Sequence, residues 1–163
     1  MKRFVVMSLI ALGVAIPGAA VLAPYAMAGD APPKTVFKDK TQRAKLLGKH
    51  MLSLQWLQFE KAMYGTATIE DKGGVLYLKG EQINKGKEKG YLKVDGRITE
   101  VGKNSFKFNG TIKTSVSHIN NGEECVREGD MNFLAKGARK YWRLQEMKSP
   151  CSEVTDYVDV YFH

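Results

Sequence analysis

The chain has 163 residues, with 25 Lys or Arg against 17 Asp or Glu and a formal net charge of +8. That balance points either to anionic partners (lipid head groups, acidic glycans, a negative protein face) or simply to a lysine-rich solvated surface. Aromatic and basic residues do not interleave as on a nucleic-acid platform, and there is no internal repeat or low-complexity tract, so nucleic-acid binding and repeat architectures are set aside.

Lys2 and Arg3 precede an apolar run from Phe4 to Val21, and Ala26-Met27-Ala28 has the small-x-small form of a cleavage site. Residues 1–28 are expected to be a bacterial-type signal peptide, and the protein to be periplasmic or secreted. A membrane anchor is the competing reading. Pro17, Pro24 and the lack of a basic flank stand against it, and no Cys near the cleavage point offers a lipid attachment. Cleavage removes 28 of the 163 residues, leaving 135, and two cations, leaving a charge of +6. This is one domain with room for a core, expected to be a monomer with no transmembrane segment. Cys125 and Cys151 are an even pair in an oxidising compartment and predict one disulfide.

Residues 29–38, with Pro32-Pro33, read as a flexible lead. From Asp39 or Thr41 as cap, Gln42 to Leu47 predicts a short helix that Gly48 stops. The period then becomes two. His50, Leu52, Leu54 and Trp56 alternate with Met51, Ser53, Gln55 and Leu57 as a first strand. Gly65–Glu70 and Val75–Gln82 follow, joined by the turn Asp71-Lys72-Gly73-Gly74. Tyr91 to His118 is the clearest pattern, a long hairpin around Gly102-Lys103-Asn104. Leu92, Val94, Gly96, Ile98, Phe106, Phe108, Gly110, Ile112 and Val116 lie on one face. Asn121-Gly122 reads as a tight two-residue turn. Strands Glu124–Ala135, Arg139–Met147 and Thr155–Phe162 complete eight.

Eight strands on short turns predict an all-β fold, an eight-stranded antiparallel up-and-down barrel with a short N-terminal helix over residues 39–163. A two-sheet sandwich is the competing architecture. A two-residue loop at Gly137-Ala138 would set Phe133 opposite Trp142 and Met131 opposite Leu144. That register places Arg127 inward near Glu146 and brings Cys125 within one step of Cys151. The parity of their strands turns Gln82 and His118 inward as well. With the first strand running upward, Trp56, Gln82, His118, Arg127 and Glu146 gather at the upper end, while the helix plugs the lower. They form either a ligand mouth or an internal salt bridge among hydrated strand ends.

The helix, Leu47-Gly48-Lys49-His50 and the hairpin series together resemble the calycin or lipocalin architecture, whose signature would have Trp where His50 stands. Lys140-Tyr141-Trp142-Arg143-Leu144-Gln145 and Asp156-Tyr157-Val158-Asp159 resemble an uncharacterised group of bacterial exported proteins. The first resemblance implies a lipocalin-like barrel, and the second implies no activity.

Catalytic signatures are sparse. His50, His118 and His163 lie on separate elements without metal-ligand spacing, so no metal and no cofactor is expected. There is no Gly-x-Ser-x-Gly elbow or phosphate loop. Asp156 and Asp159, three apart on a strand, face opposite ways. His118 with Glu146 is the one acid–base pairing the mouth offers, and the chain is expected not to be an enzyme. The leading expectation is a periplasmic or secreted binding protein holding a small amphipathic or anionic ligand at the open end. Arg127 would be its charge anchor, His118 and Gln82 its hydrogen-bonding groups, Trp56 part of the wall and Glu146 a further polar group. The alternative is a protein-interaction module or enzyme inhibitor acting through the top loops.

Overall fold

The hairpin read from alternation is the longest pair of strands in the fold. In the computed structural model, which describes residues 31–57, 64–86 and 89–162, it comprises β5 (Gly90–Gly102) and β6 (Ser105–Val116). Leu92 faces Thr114, Val94 faces Ile112 and Gly96 faces Gly110. The earlier strands are β1 (Val36–Phe37), β2 (Gly48–Leu54), β3 (Gly65–Lys72) and β4 (Val75–Asn84). The later ones are β7 (Cys125–Leu134), β8 (Tyr141–Leu144) and β9 (Val158–Tyr161). From β2 to β9 each strand pairs antiparallel with the next, and β9 returns to β2 through Leu52↔Val160 and Leu54↔Val158. The eight-stranded barrel is therefore closed, which removes the sheet edges that a sandwich would expose. The expected signal peptide lies outside the described residues, as does His163.

Closure needs tight places. Gly96 and Gly110 face each other beneath the Phe108 ring. A Cβ on Gly96 would stand 2.5 Å from the Asn109 carbonyl and 2.6 Å from Gly110 Cα, so only glycine fits there. The inward residues then fill the barrel. Phe106 stacks on Phe133 at 4.8 Å between centroids, Phe108 meets Phe133 edge-on, and Trp142 packs against Phe106 and Phe162. Leu52, Leu54, Leu76, Leu78, Leu92, Ile112 and Val160 complete a core sealed from solvent.

The lower end is plugged. Asp39 caps a single 3-10 turn at Lys40–Gln42 through its carboxylate, which accepts from the Thr41 N–H. Helix α1 (Arg43–Leu46) follows and drives Leu46 into the core. His50 fastens it: Nε2 lies 2.6 Å from the Leu46 carbonyl and Nδ1 2.8 Å from that of Tyr161. The lead expected to stay flexible to Lys38 is held from Thr35 onward. The Thr35 hydroxyl donates to the Ile98 carbonyl and accepts from the Leu76 N–H, and β1 pairs parallel with β5 at Glu100 and Val101. It does so just past the bulge at Thr99, where β5 bends away from β4.

Three local expectations are corrected. The Gly137-Ala138 turn is a six-residue connection, 135–140, with a turn closed by the Arg139 N–H on the Lys136 carbonyl. Phe133 therefore faces Leu144 and Leu134 faces Arg143, two residues from the expected register. A shift of two keeps every side chain on its face, so apolar matching does not distinguish the two registers. Asn120–Gly122 is a 3-10 turn within the eight-residue connection 117–124, with Asn120, Asn121 and Gly122 all at positive φ. The strands expected over Arg139–Met147 and Thr155–Phe162 shorten to β8 and β9. Between them, residues 145–157 form an excursion with one isolated bridge, Lys148↔Thr155.

Candidate functional site

That excursion defines the open end. β7 pairs with β6 along its whole length, but with β8 only at Phe133 and Leu134, one further bond joining the Gln145 N–H to the Asn132 carbonyl. Above this point the seam between β7 and residues 146–156 is closed by side chains. The Cys125–Cys151 disulfide spans it with a Cα–Cα distance of 5.8 Å. The Glu146 carboxylate accepts from the Asn132 N–H and Nδ2, at 2.9 and 2.8 Å. Arg127 donates to the Lys148 carbonyl at 2.8 Å and to Asp156 at 3.2 Å.

Asp156 is the centre of this group. Its side chain is 5% exposed and that of Arg127 10% exposed, so their charges compensate each other largely out of water. The second Asp156 oxygen accepts from Trp56 Nε1 at 3.1 Å. Trp56 sits in the 3-10 turn Gln55–Leu57 that ends β2, and the exposed His118 ring meets it edge-on at 6.2 Å. Gln55 clamps the same excursion: its Nε2 donates to the Thr155 carbonyl and its Oε1 accepts from the Tyr157 N–H.

Of the expected site residues, the structure links Trp56 and Arg127 through Asp156 and brings His118 against Trp56. Gln82 is buried and accepts the Leu54 N–H at 2.7 Å, tying β4 to the end of β2. Glu146 does not meet Arg127, because the two-residue register shift moves it to the Asn132 backbone. Asp156 was missed, because it lies outside a regular strand and pairing arithmetic does not place it. Asp156 and Asp159 do face opposite ways, and the inward one falls at the level of Arg127. Asp159 faces outward and binds Arg143 at 2.7 Å through both carboxylate oxygens, which raises the pKa of Arg143. Tyr157 and Tyr141 flank this guanidinium, at 4.1 and 5.1 Å from its carbon to the ring centroids, and Tyr161 lies beside Tyr141.

At the upper end an open hollow of about 360 Å³ is lined by Lys89, Tyr91, Ser115, Ser117 and Asn121, and the inward space between described residues is smaller. A cavity bounded by Thr114, Ile119, Cys125, Ser149 and Asp156 has about 10 Å³, room for one water. A hollow of about 500 Å³ lies on the outer wall over β4–β6. Its cations are compensated: Lys79 by Asp95, Lys93 by Glu81 and Lys113 by Glu124. Glu124 also accepts from the Tyr91 hydroxyl, which lowers the carboxylate pKa and pushes Tyr91 up to about 12. Among the described residues, no three His, Cys, Asp or Glu side chains converge as metal ligands, and no helix is long and apolar enough to cross a membrane.

A closed eight-stranded barrel, plugged at one end and stapled by a disulfide at the other, is compatible with a binding protein, and the disulfide suits an oxidising compartment. The family comparison places it further: residues 34–162 match the model of the PM1083 family, and the chain belongs to that family. It is 43% identical over 118 residues to "Uncharacterized protein PM1083" of Pasteurella multocida (strain Pm70), covering 72% of this chain and 74% of that one. No solved structure matches.

Proposed function

We propose that this chain is a non-enzymatic binding module, exported by its N-terminal segment to a bacterial periplasm or beyond, that engages a protein partner through the loops at its open end. The observation that supports this is the filled barrel. Carriers of small ligands enclose roughly 300–1,000 Å³, whereas the inward cavity bounded by Thr114, Ile119 and Asp156 has about 10 Å³ and the hollow of about 360 Å³ beside connection 117–124 is open to solvent. Contacts made from outside suit such a shape better. The disulfide, the Gln55 clamp and the Arg127–Asp156 pair hold connection 145–157 against the barrel before any partner arrives, which lowers the entropy lost on binding. Glu123 and Glu153 are exposed on connections 117–124 and 145–157 and favour a partner with a basic face.

The test is affinity capture from periplasmic extract of the native host, with the wild-type chain and a Glu123→Arg/Glu153→Arg variant as baits. One stoichiometric partner retained by the first and lost by the second is expected. No stoichiometric partner, or equal retention by both, overturns the proposal.

One observation favours a second reading, in which a small amphipathic or anionic molecule sits at the mouth. Trp56 and His118 form an aromatic ledge there, beside Arg127 and Asp156. Native mass spectrometry of the protein purified from its host would then show an added mass that a Trp56→Ala variant loses. A bare mass in both counts against it.

A further inference from the structure

The opposite end of the barrel has a different character. The plug and the lower connections (residues 34–49, 71–74, 102–104 and 135–140) carry eleven Lys or Arg and two acids, Asp39 and Asp71. The described residues of the upper connections (84–86, 89, 117–124 and 145–157) carry three Lys and five acids. The net positive charge of the barrel is therefore concentrated at its closed end.

Within that end, a depression of about 170 Å³ is lined by Lys45, Asn104, Gly137, Arg139, Lys140 and Phe162 among others, with no carboxylate among the described residues of its wall. Neither Lys45, Arg139 nor Lys140 enters an ion pair with a described residue. The nearby acids are already occupied: Asp71 by Arg43, Glu100 by Lys38 and Lys107, and Glu70 by Lys72. Lys45 is held in place, its Nζ 3.5 Å from the Phe162 ring centroid and 5.5 Å from that of Trp142. Arg139 rests over Tyr141 at 5.7 Å. Burial and then the charge of Lys140 pull the Lys45 pKa down, which places the Lys140 charge near Lys45.

We propose that this depression is an anion site that takes a phosphate group, held by Lys45, Arg139 and Lys140. Three cations lining one depression exceed what a single carboxylate can compensate, whereas a phosphate spreads up to two charges over several oxygens that an Arg fork and two ammonium groups can share. The phosphate belongs either to a small phosphorylated molecule or to a lipid head group, and the surrounding positive charge draws either toward this end. The site is independent of the open-end proposal and survives its failure.

Titration calorimetry of the full chain with inorganic phosphate and pyrophosphate at low ionic strength tests the pocket. Flotation with vesicles of phosphatidylglycerol and phosphatidylcholine tests the lipid source. An Arg139→Gln/Lys140→Gln variant, which leaves the plug intact, is expected to bind pyrophosphate about tenfold more weakly. A Lys85→Gln/Lys89→Gln variant, with the same charge removed at the other end, is expected to bind as wild type does. Loss of flotation with the first variant assigns the phosphate to a lipid. Weakened pyrophosphate binding with no flotation by any form assigns it to a soluble molecule. If no form binds either probe, or both variants weaken binding equally, the proposal is wrong.

Discussion

Asp156 carries more of the open end than any other side chain. It compensates Arg127 and receives the Trp56 indole, both largely out of water. Removing one member of a buried pair leaves the other charge uncompensated, a cost of about 3–5 kcal/mol. Arg127 keeps the Lys148 carbonyl, which favours the lower figure. Asp156→Ala is expected to lower the urea midpoint by about 3 kcal/mol divided by the m-value, and to shift the Trp56 emission. Asp156→Asn is expected to cost less, since its amide oxygen still accepts from the indole. The inward direction of Arg127 was legible in the sequence because strand parity gives it. Its partner was not, because Asp156 lies outside a regular strand and pairing arithmetic does not reach it. Gln82 and His118 show a related limit: parity places a side chain on a face but does not say whether it meets a ligand or the backbone of its own chain.

At the scale of elements, alternation identified the β5–β6 hairpin, its turn and the order of the strands, since each depends on period two alone. It could not separate registers that differ by two residues, and it carried the last two strands too far, over 145–147 and 155–157, where Thr and Tyr resemble strand composition. The seam that results depends on its staple. Opening the Cys125–Cys151 loop, with a sequence separation of 26, is expected to cost about 3–4 kcal/mol in the chain-entropy model. Urea unfolding of a Cys125→Ser/Cys151→Ser variant checks this. Protection from hydrogen exchange is expected to fall first in 145–157, while the β5–β6 hairpin keeps its protection. The hairpin has its own weak point at Gly96. In Gly96→Ala the new methyl meets the Asn109 carbonyl and Gly110 backbone, which cannot move without spoiling the ladder. Overpacking of this kind costs about 1–3 kcal/mol, and backbone neighbours place it near the upper figure, measurable by thermal unfolding.

Across the whole molecule, surface carboxylates set the response to pH. Hydrogen bonds from Lys38 to Glu100, from Arg43 to Asp71, from Tyr91 to Glu124 and from Thr41 to Asp39 hold these four groups below their ordinary values. A folded pKa below the unfolded one contributes stability above the unfolded pKa, and that contribution is lost as pH falls through the folded value. The melting temperature is therefore expected to be level near neutrality and to decline below about pH 4, more shallowly in high salt because all four groups are on the surface. Tyr91 acts in the other direction. Its pKa rises from 10.0 to about 12, so the hydroxyl it gives Glu124 stabilises below the first value and is lost on passing the second. A second decline over that alkaline interval is expected, and Tyr91→Phe removes it.

The Thr35 anchor has a consequence for how the molecule is presented. Thr35 is tied to the Gly74 turn and to the bend in β5, so the chain enters the barrel at its plugged end. It leaves there too, with the Phe162 N–H bonded to the Lys140 carbonyl. Both points of attachment thus lie on the basic face, and the stapled loops occupy the far pole. Anything joined just beyond Phe162 or just before Thr35 holds the barrel by its base and directs those loops away from the point of fixation. A bead or surface coupled at either of those points would display the open end and cover the lysine-rich one.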